Sequence, residues 1–130
     1  MKKSVVVFLL HNGKLLILKR SEKVGSFRGK WGAVGGHLES GNLPLEQAYI
    51  EATEETGLSA KQLKLIRAGR PKHVGDFMVY PFLFESASDK VTIDWEHTDF
   101  RWIEPGELGD FETVDQTDLA FFRVFRPQSH

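Results

Sequence analysis

The chain has 130 residues, a net charge of −1 and no cysteine. This length suits one domain with its own hydrophobic core. The near-neutral charge gives no support for nucleic-acid binding through a basic surface, and the lack of cysteine excludes disulfides and thiolate metal ligands. Apolar residues make up 41% of the sequence, which indicates a globular protein and not a disordered one.

The first predicted element is a β-hairpin. Apolar residues dominate Val5–Leu10 and Lys14–Lys19, and Asn12-Gly13 between them is a two-residue turn signal. The first apolar run resembles the core of a signal peptide, but a turn follows it directly, so a hairpin strand is the better interpretation. No stretch of the sequence has the length of a transmembrane helix. We therefore expect a soluble, cytoplasmic protein with no membrane association.

A loop and a short strand are predicted next. Residues 21–30 contain glycines and charged residues with little apolar patterning, and a loop of this length in a compact domain is often functional. Trp31–Val34 is predicted to be a short strand that leads into Gly35-Gly36. A backbone with two adjacent glycines can bend and approach a ligand closely.

The predicted helix from Pro44 to Gly57 carries an unfavourable group of acids. Glu51, Glu54 and Glu55 are three or four residues apart, so they share one face and repel one another. They also lie near the helix C-terminus, where the helix dipole disfavours negative charge. Because no lysine or arginine lies beside them on the helix, a divalent cation is a natural partner. The alternative is an acidic face in contact with solvent.

The rest of the chain alternates between strands and turns and ends in a second helix. Many strands with two helices predict a mixed α/β sandwich of one domain, covering residues 1–130. In the second helix, Asp115–Phe125, the predicted buried stripe is Leu119, Phe122 and Phe125. The ending D-L-A-F-F-R-V-F suits either a core helix or a homodimer surface. The other predicted strands are 64–68, 77–85, 91–93 and 100–103, with a turn or short helix at 105–108.

A long signature covers the first helix and the loop before it. Residues 36–58 read G-H-L-E-S-G-N-L-P-L-E-Q-A-Y-I-E-A-T-E-E-T-G-L and resemble the Nudix box, the loop–helix–loop signature of the Nudix hydrolases. The segments G-K-W-G-A-V-G-G and E-H-T-D-F-R-W-I-E-P-G-E-L are also similar to that family. The resemblance implies the Nudix fold, an α/β/α sandwich with a mixed sheet. The matching box positions are Gly36, Glu51, Ala52, Glu54, Glu55, Gly57 and Leu58.

Two positions depart from the family pattern. Asn42 replaces the first glutamate of the box, and Ile50 replaces its arginine. In the family these two residues usually form a salt bridge that braces the loop against the helix. Losing both together leaves no unpaired buried charge, so the change is compatible with an intact fold. It weakens the support for Glu51, and it motivates an alternative function, a nucleotide-binding module without catalysis.

The resemblance implies a chemistry and a set of residues for it. Nudix enzymes hydrolyse a diphosphate linked to another moiety, commonly a nucleoside, with Mg²⁺ or Mn²⁺. The resemblance implies that Glu51, Glu55 and the carbonyl of Gly35 bind the metal, with Glu54 as a further ligand or support. Members of the family often recruit a glutamate from outside the box as a ligand or base, and Glu96 is our candidate.

Five residues are candidates for substrate binding. Arg20 and Lys30 suit phosphate oxygens, although each is more often a solvated surface charge. Trp31 suits stacking on a base or packing beneath the loop. Gly36 belongs to the glycine pair, and His37 follows it as a phosphate contact or an ordinary loop histidine. The K-W-x-x-x-G-G lead-in is similar to family members that act on nucleoside triphosphates or small nucleotides. A small nucleotide substrate is therefore expected, with no stable nucleic-acid complex.

Overall fold

The computed structural model of the protein describes residues 1–114 and 117–125. Within these residues, eight strands form one mixed sheet and two α-helices pack on it. Short 3-10 helices cover Ala60–Gln62 and Pro105–Asp110. The helices are α1, Pro44–Thr56, and α2, Thr117–Val124. The strands are β1 Lys2–His11, β2 Lys14–Arg20, β3 Trp31–Gly32, β4 Val34–His37, β5 Leu63–Ala68, β6 Lys72–Val74, β7 Phe77–Ser86 and β8 His97–Ile103.

Strand β1 organises the sheet. It runs parallel to β7 over its whole length and antiparallel to two other strands on its opposite edge. Its first half pairs with β4, with Ser4 opposite His37, and its end pairs with β2, with Leu10 opposite Leu15. The remaining strands extend the sheet, β8 and β3 from β2, and β5 and β6 from β7. Because β1 pairs with two strands on this edge, β4 lies beside the first half of β1 in the sheet.

The two faces of the sheet are each buried under one helix. Side chains alternate between the faces of a strand, and β1 is apolar on both. Val5, Val7 and Leu9 belong to the core under α1, whereas Phe8 and Leu10 belong to the core under α2. A helix on each side of a mixed sheet is the predicted α/β/α sandwich, and the fold class is confirmed.

Most predicted elements are present, and one predicted strand is wrong. The hairpin and α1 are confirmed, and Gly57 ends α1 in the left-handed region with φ 73°. Residues 91–93 are not a strand. The N–H of Thr92 donates instead to the carbonyl of Thr56 at 2.8 Å, which ties this segment to the end of α1. Strand β6, which the sequence did not predict, has only three residues.

The predicted buried stripe of α2 is also wrong. Leu119 and Phe122 are 52% and 55% exposed, whereas Phe121 is fully buried. The Phe121 ring packs 5.2 Å from Phe8 of β1, and Phe125, which is partly buried, stacks 4.7 Å from Phe121. Docking on the Phe8 face of the sheet therefore selects a different face of the helix. The predicted start of this helix, Asp115, lies outside the described residues.

Across residues 1–114 and 117–125, every helix is too short or too polar to cross a lipid bilayer.

Adjacent phenylalanines in α2 provide a matched test of this packing. We expect Phe121→Ala to lower the free energy of unfolding by about 3–5 kcal/mol, because it leaves a cavity between the helix and the sheet. The change Phe122→Ala, at a position that is 55% exposed and whose ring lies 5.4 Å from that of Phe121, should cost only about 0.5–1.5 kcal/mol. Urea denaturation of both variants measures the difference. Equal losses would contradict the orientation of α2.

Candidate active site

Two glycines of β4 let the acids of α1 approach the sheet. A Cβ at Gly35 would lie 2.7 Å from the carbonyl oxygen of Val5, and a Cβ at Gly36 would overlap the carboxylate of Glu51. Neither position has room for a side chain. Because β4 pairs with β1, these glycines are fixed beside the C-terminal half of α1. The Gly-Gly pair therefore serves close packing of backbone against backbone and carboxylate.

Glu55 is the most buried of the predicted acids, with 4% of its surface exposed. Burial raises its pKa to about 10, and the nearby carboxylates of Glu51, Glu96 and Asp94 add to the increase. A hydrogen bond from the backbone of Gly35 acts in the opposite direction. In the absence of a cation, Glu55 therefore holds a proton at neutral pH.

Glu51 lies beside it in a more open position. Burial, followed by the charges of Glu54 and Glu96 and then of Glu39 and Asp94, raises the pKa of Glu51 to about 7. Glu54 itself is exposed. The sequence brought three helix acids together, and the structure separates them into a buried, a half-buried and a solvent-facing carboxylate.

The turn before β8 and the first residue of β8 add the fourth predicted acid, Glu96, and two residues that sequence reasoning missed, Asp94 and His97. The N–H of His97 donates to the carbonyl of Asp94 at 3.2 Å and closes the turn. The Oδ1 of Asp94 accepts hydrogen bonds from the N–H of Glu96 at 3.2 Å and from Nδ1 of His97 at 2.9 Å. The run D-W-E-H at residues 94–97 places three possible metal ligands close together in the sequence. The sequence does not indicate which of these side chains point toward the helix acids.

Three side chains meet closely enough to share a cation. Glu55, Glu96 and His97 each offer one ligand atom, and these atoms lie within 4.8 Å of one another. Metal–ligand bonds of about 2.1 Å place two ligands of one ion at most roughly 4.2 Å apart, so side-chain shifts of about half an ångström bring the three atoms onto one divalent ion. Glu51 is not part of this group, and its carboxylate lies against Gly36. The donor set of two carboxylates and an imidazole is compatible with a metal ion.

The two predicted phosphate-binding cations each have a partner within the protein. Nε of Arg20 donates to the carbonyl of Ser26 at 2.9 Å, which shapes that loop. Nζ of Lys30 lies 3.8 Å from the Glu112 carboxylate, and both side chains are exposed. An exposed pair of this kind is weak, so Lys30 can exchange this partner for an anionic ligand.

The other predicted substrate residues differ in exposure. Trp31 is 8% exposed, its ring lies 5.5 Å from Phe111, and the Arg101 guanidinium lies 5.4 Å from the ring. This packing accounts for Trp31 without a nucleotide base. His37, at the end of β4, is exposed, and its ring lies 5.4 Å from Phe77.

A neutral brace occupies the place of the salt bridge that the box normally carries. The side-chain oxygen of Gln47 accepts hydrogen bonds from Nδ2 of Asn42 at 2.9 Å and from the N–H of Glu39 at 3.1 Å. Gln47 is fully buried, and Ile50 is half-buried. The loop is therefore tied to α1 despite the loss of the charged pair. Sequence reasoning missed Gln47 because glutamine on a helix is usually solvated.

Comparisons with known proteins agree with this fold and site. A family profile described as the NUDIX domain matches residues 1–125. The chain is 28% identical over 127 residues to the nucleoside triphosphatase NudI of Escherichia coli, covering 85% of this chain and 88% of that protein. It is 26% identical to the protein of the same name from Escherichia fergusonii, with the same coverage.

Solved structures match the whole architecture. The MutT protein of Methanosarcina mazei superposes with a TM-score of 0.75 at 23% identity, over 94% of this chain and 91% of that one. The Nudix hydrolase RenU of M. smegmatis gives 0.75 at 18% identity, over 93% and 80%. The fold is thus that of the Nudix hydrolases. With the profile match, the chain belongs to the Nudix family, and it is a hydrolase of phosphoanhydride bonds.

The buried acids make a pH-dependent contribution to stability. Their pKa values are raised on folding, so the unfolded chain loses its protons first as the pH rises above about 4.5. We expect the free energy of unfolding of the metal-free protein to fall between pH 5 and 9, by up to about 1.4 kcal/mol per pH unit for each proton.

Glu55→Gln should flatten this pH dependence, since a neutral isostere replaces the most buried acid, and should leave the melting temperature at pH 8 equal or higher. Glu46→Gln on the same helix is the matched control and should keep the slope of the unmodified protein. Denaturation in EDTA across this pH range measures both. A slope that is the same in both variants would mean that Glu55 does not titrate as described.

Proposed function

We propose that the protein is a divalent-metal-dependent pyrophosphohydrolase that cleaves a nucleoside diphosphate linked to another group. The proposed substrate is a nucleoside triphosphate or a related small nucleotide. The observation that carries this proposal is the meeting of Glu51, Glu55 and Glu96, where burial first and the neighbouring carboxylates second raise the pKa of the first two well above that of a free glutamate. The relatives named as nucleoside triphosphatases support the substrate class.

The proposed metal ligands are Glu55 and Glu96, together with Glu51 and the carbonyl of Gly35. Oxygen ligands suit Mg²⁺ or Mn²⁺. Glu54, which is exposed, supports the site through its charge on Glu51. When bound, the cation neutralises charge on the transferring phosphoryl group and acidifies the attacking water.

Carboxylates of the chain would accept and release the protons of the proposed reaction. Glu55 is protonated in the metal-free protein at neutral pH, so loading the site releases its proton and metal affinity increases with pH. Glu51, with a pKa of about 7, can exchange a proton near neutral pH, as a general base must. Glu96, on the opposing turn, is the second candidate base.

The proposed substrate contacts come from the ends of β2 and β4 and from the loop between β2 and β3. Lys30 and Arg20 would contact phosphate oxygens, and Gly36 and His37 would add contacts from the end of β4. Stacking of Trp31 on a base stays a prediction, and its ring is packed against Phe111. The protein would act as a single domain of residues 1–130 in the cytoplasm, without a stable nucleic-acid complex. A homodimer remains an open alternative.

A second candidate is a Nudix module that binds a nucleotide without cleaving it. The replacements Asn42 and Ile50 favour it, because they remove the pair that braces the box. The hydrogen bonds of Gln47 favour the enzyme, since they restore a connection between loop and helix. Calorimetry that shows tight nucleotide binding, with the intact nucleotide recovered afterwards, would select the binding module.

The decisive experiment is a nucleotide panel with detection of phosphate and pyrophosphate, with Mg²⁺, with Mn²⁺ and with EDTA. We expect turnover that requires the metal and that Glu55→Gln abolishes while the fold is retained. Glu46→Gln, which can still cap α1 through its side-chain oxygen, should keep most of the activity. If no nucleotide is cleaved with either metal, the proposal fails.

The Gly36 contact gives an independent test of Glu51. Gly36→Ala places a methyl group where the Glu51 carboxylate lies, so we expect kcat to fall by roughly 10²-fold or more through misplacement of a ligand. Gly106→Ala, where an added Cβ meets nothing within 4 Å, is the matched control. Equal kcat in the two variants, measured at saturating metal, would remove Glu51 from the proposed site.

A further inference from the structure

His97 is a buried imidazole in a group of carboxylates. Its side chain is 2% exposed and has an acid on each of two sides. Nδ1 lies 2.9 Å from Oδ1 of Asp94, and Nε2 lies 3.7 Å from Oε1 of Glu55. A ligand atom of Glu96 completes a group that spans no more than 4.8 Å. The imidazole therefore stands between a carboxylate that it contacts and a carboxylate that it does not reach.

The contact with Asp94 fixes which nitrogen carries the hydrogen. An ionised carboxylate only accepts hydrogen bonds, so Nδ1 of His97 must be the donor at 2.9 Å. In the neutral imidazole, Nε2 then carries a lone pair, and this lone pair is on the side of Glu55. At 3.7 Å, Nε2 and the Glu55 oxygen are too far apart for a hydrogen bond. This separation is within the range found between two ligand atoms of one metal ion.

We propose that Nε2 of His97 is a metal ligand, so that the centre has mixed nitrogen and oxygen donors and prefers a divalent first-row transition ion to Mg²⁺. This inference rests on the proposed function, since it takes Glu55 and Glu96 to bind the metal. Imidazole coordinates first-row transition ions, whereas Mg²⁺ takes oxygen ligands and gives up water reluctantly. A nitrogen ligand thus changes which ion the site selects.

Asp94 is the positioning residue of this arrangement. A carboxylate that accepts the second ring hydrogen of a metal-binding histidine fixes the tautomer and increases ligand basicity. Asp94 is itself fixed, because the same oxygen accepts the N–H of Glu96. The side chain of Asp94 therefore orients both Glu96 and His97.

The direct test is pulsed electron paramagnetic resonance on the full chain loaded with Mn²⁺. We expect nuclear modulation from a coordinated ¹⁴N in the unmodified protein and in His73→Gln, which changes an exposed histidine on strand β6. The modulation should be absent from His97→Gln. Labelling all histidines with ¹⁵N should convert the modulation to that of ¹⁵N without any substitution, which keeps the test valid if the variant folds poorly.

Metal competition gives the second readout. The ratio of the Mg²⁺ to the Mn²⁺ dissociation constant should fall roughly tenfold or more in His97→Gln, and Asp94→Asn should weaken Mn²⁺ binding by about 10–100-fold while some nitrogen modulation remains. A purely structural His97 would change the melting temperature and leave this ratio unaltered.

The outcomes separate the two proposals. If Mn²⁺ binds without nitrogen modulation, His97 is not a ligand, and the oxygen-ligated hydrolase still stands. If neither Mn²⁺ nor Mg²⁺ binds, the metal-dependent function fails together with this inference. Modulation that persists unchanged in His97→Gln assigns the nitrogen to another residue and overturns the proposal.

Discussion

The site depends on one electrostatic constraint, the burial of Glu55 among other acids. A single carboxylate in this position is already costly to ionise, and its neighbours on α1 and on the turn before β8 increase that cost. The helix dipole adds to it, because the acids lie in the last turns of α1. Nothing in the described residues near Glu55 supplies a lysine or arginine that cancels this charge. A doubly charged ion is the partner that the arrangement fits.

The fold holds this arrangement through packing of backbone on backbone. Strand β1 is apolar on both faces, so helices cover both sides of the sheet, and α1 packs with Ala48 and Ala52 in the core beneath it. The glycines of β4 leave no side chain in the way, so the Glu51 carboxylate lies directly against the β4 backbone. The turn before β8 also reaches Glu55, and the side chain of Asp94 fixes this turn. Three elements that are distant in sequence thereby meet at Glu55.

The sequence predicted the parts of this structure that depend on local pattern. The hairpin at Asn12-Gly13, the bounds of α1 and its apolar face follow from turn chemistry, proline and glycine punctuation and helical period. The spacing of the box acids predicted a metal-binding face. The orientation of α2 was not predictable, because alternating apolar and aromatic residues offer two similar faces and the contact with Phe8 decides between them. His97 was missed for a related reason, since a loop sequence does not reveal which side chains turn inward.

The brace at Gln47 has a consequence for how the protein responds to its surroundings. Hydrogen bonds between neutral amides are not screened by salt and do not titrate. The glutamate–arginine pair common in the family is screened by salt, and it is lost when the glutamate is protonated. We therefore expect the loop that carries Gly41 and Asn42 to keep its attachment to α1 at high ionic strength and in acid. The backbone on this side of the acids would then stay in place under such conditions whether or not a cation is bound.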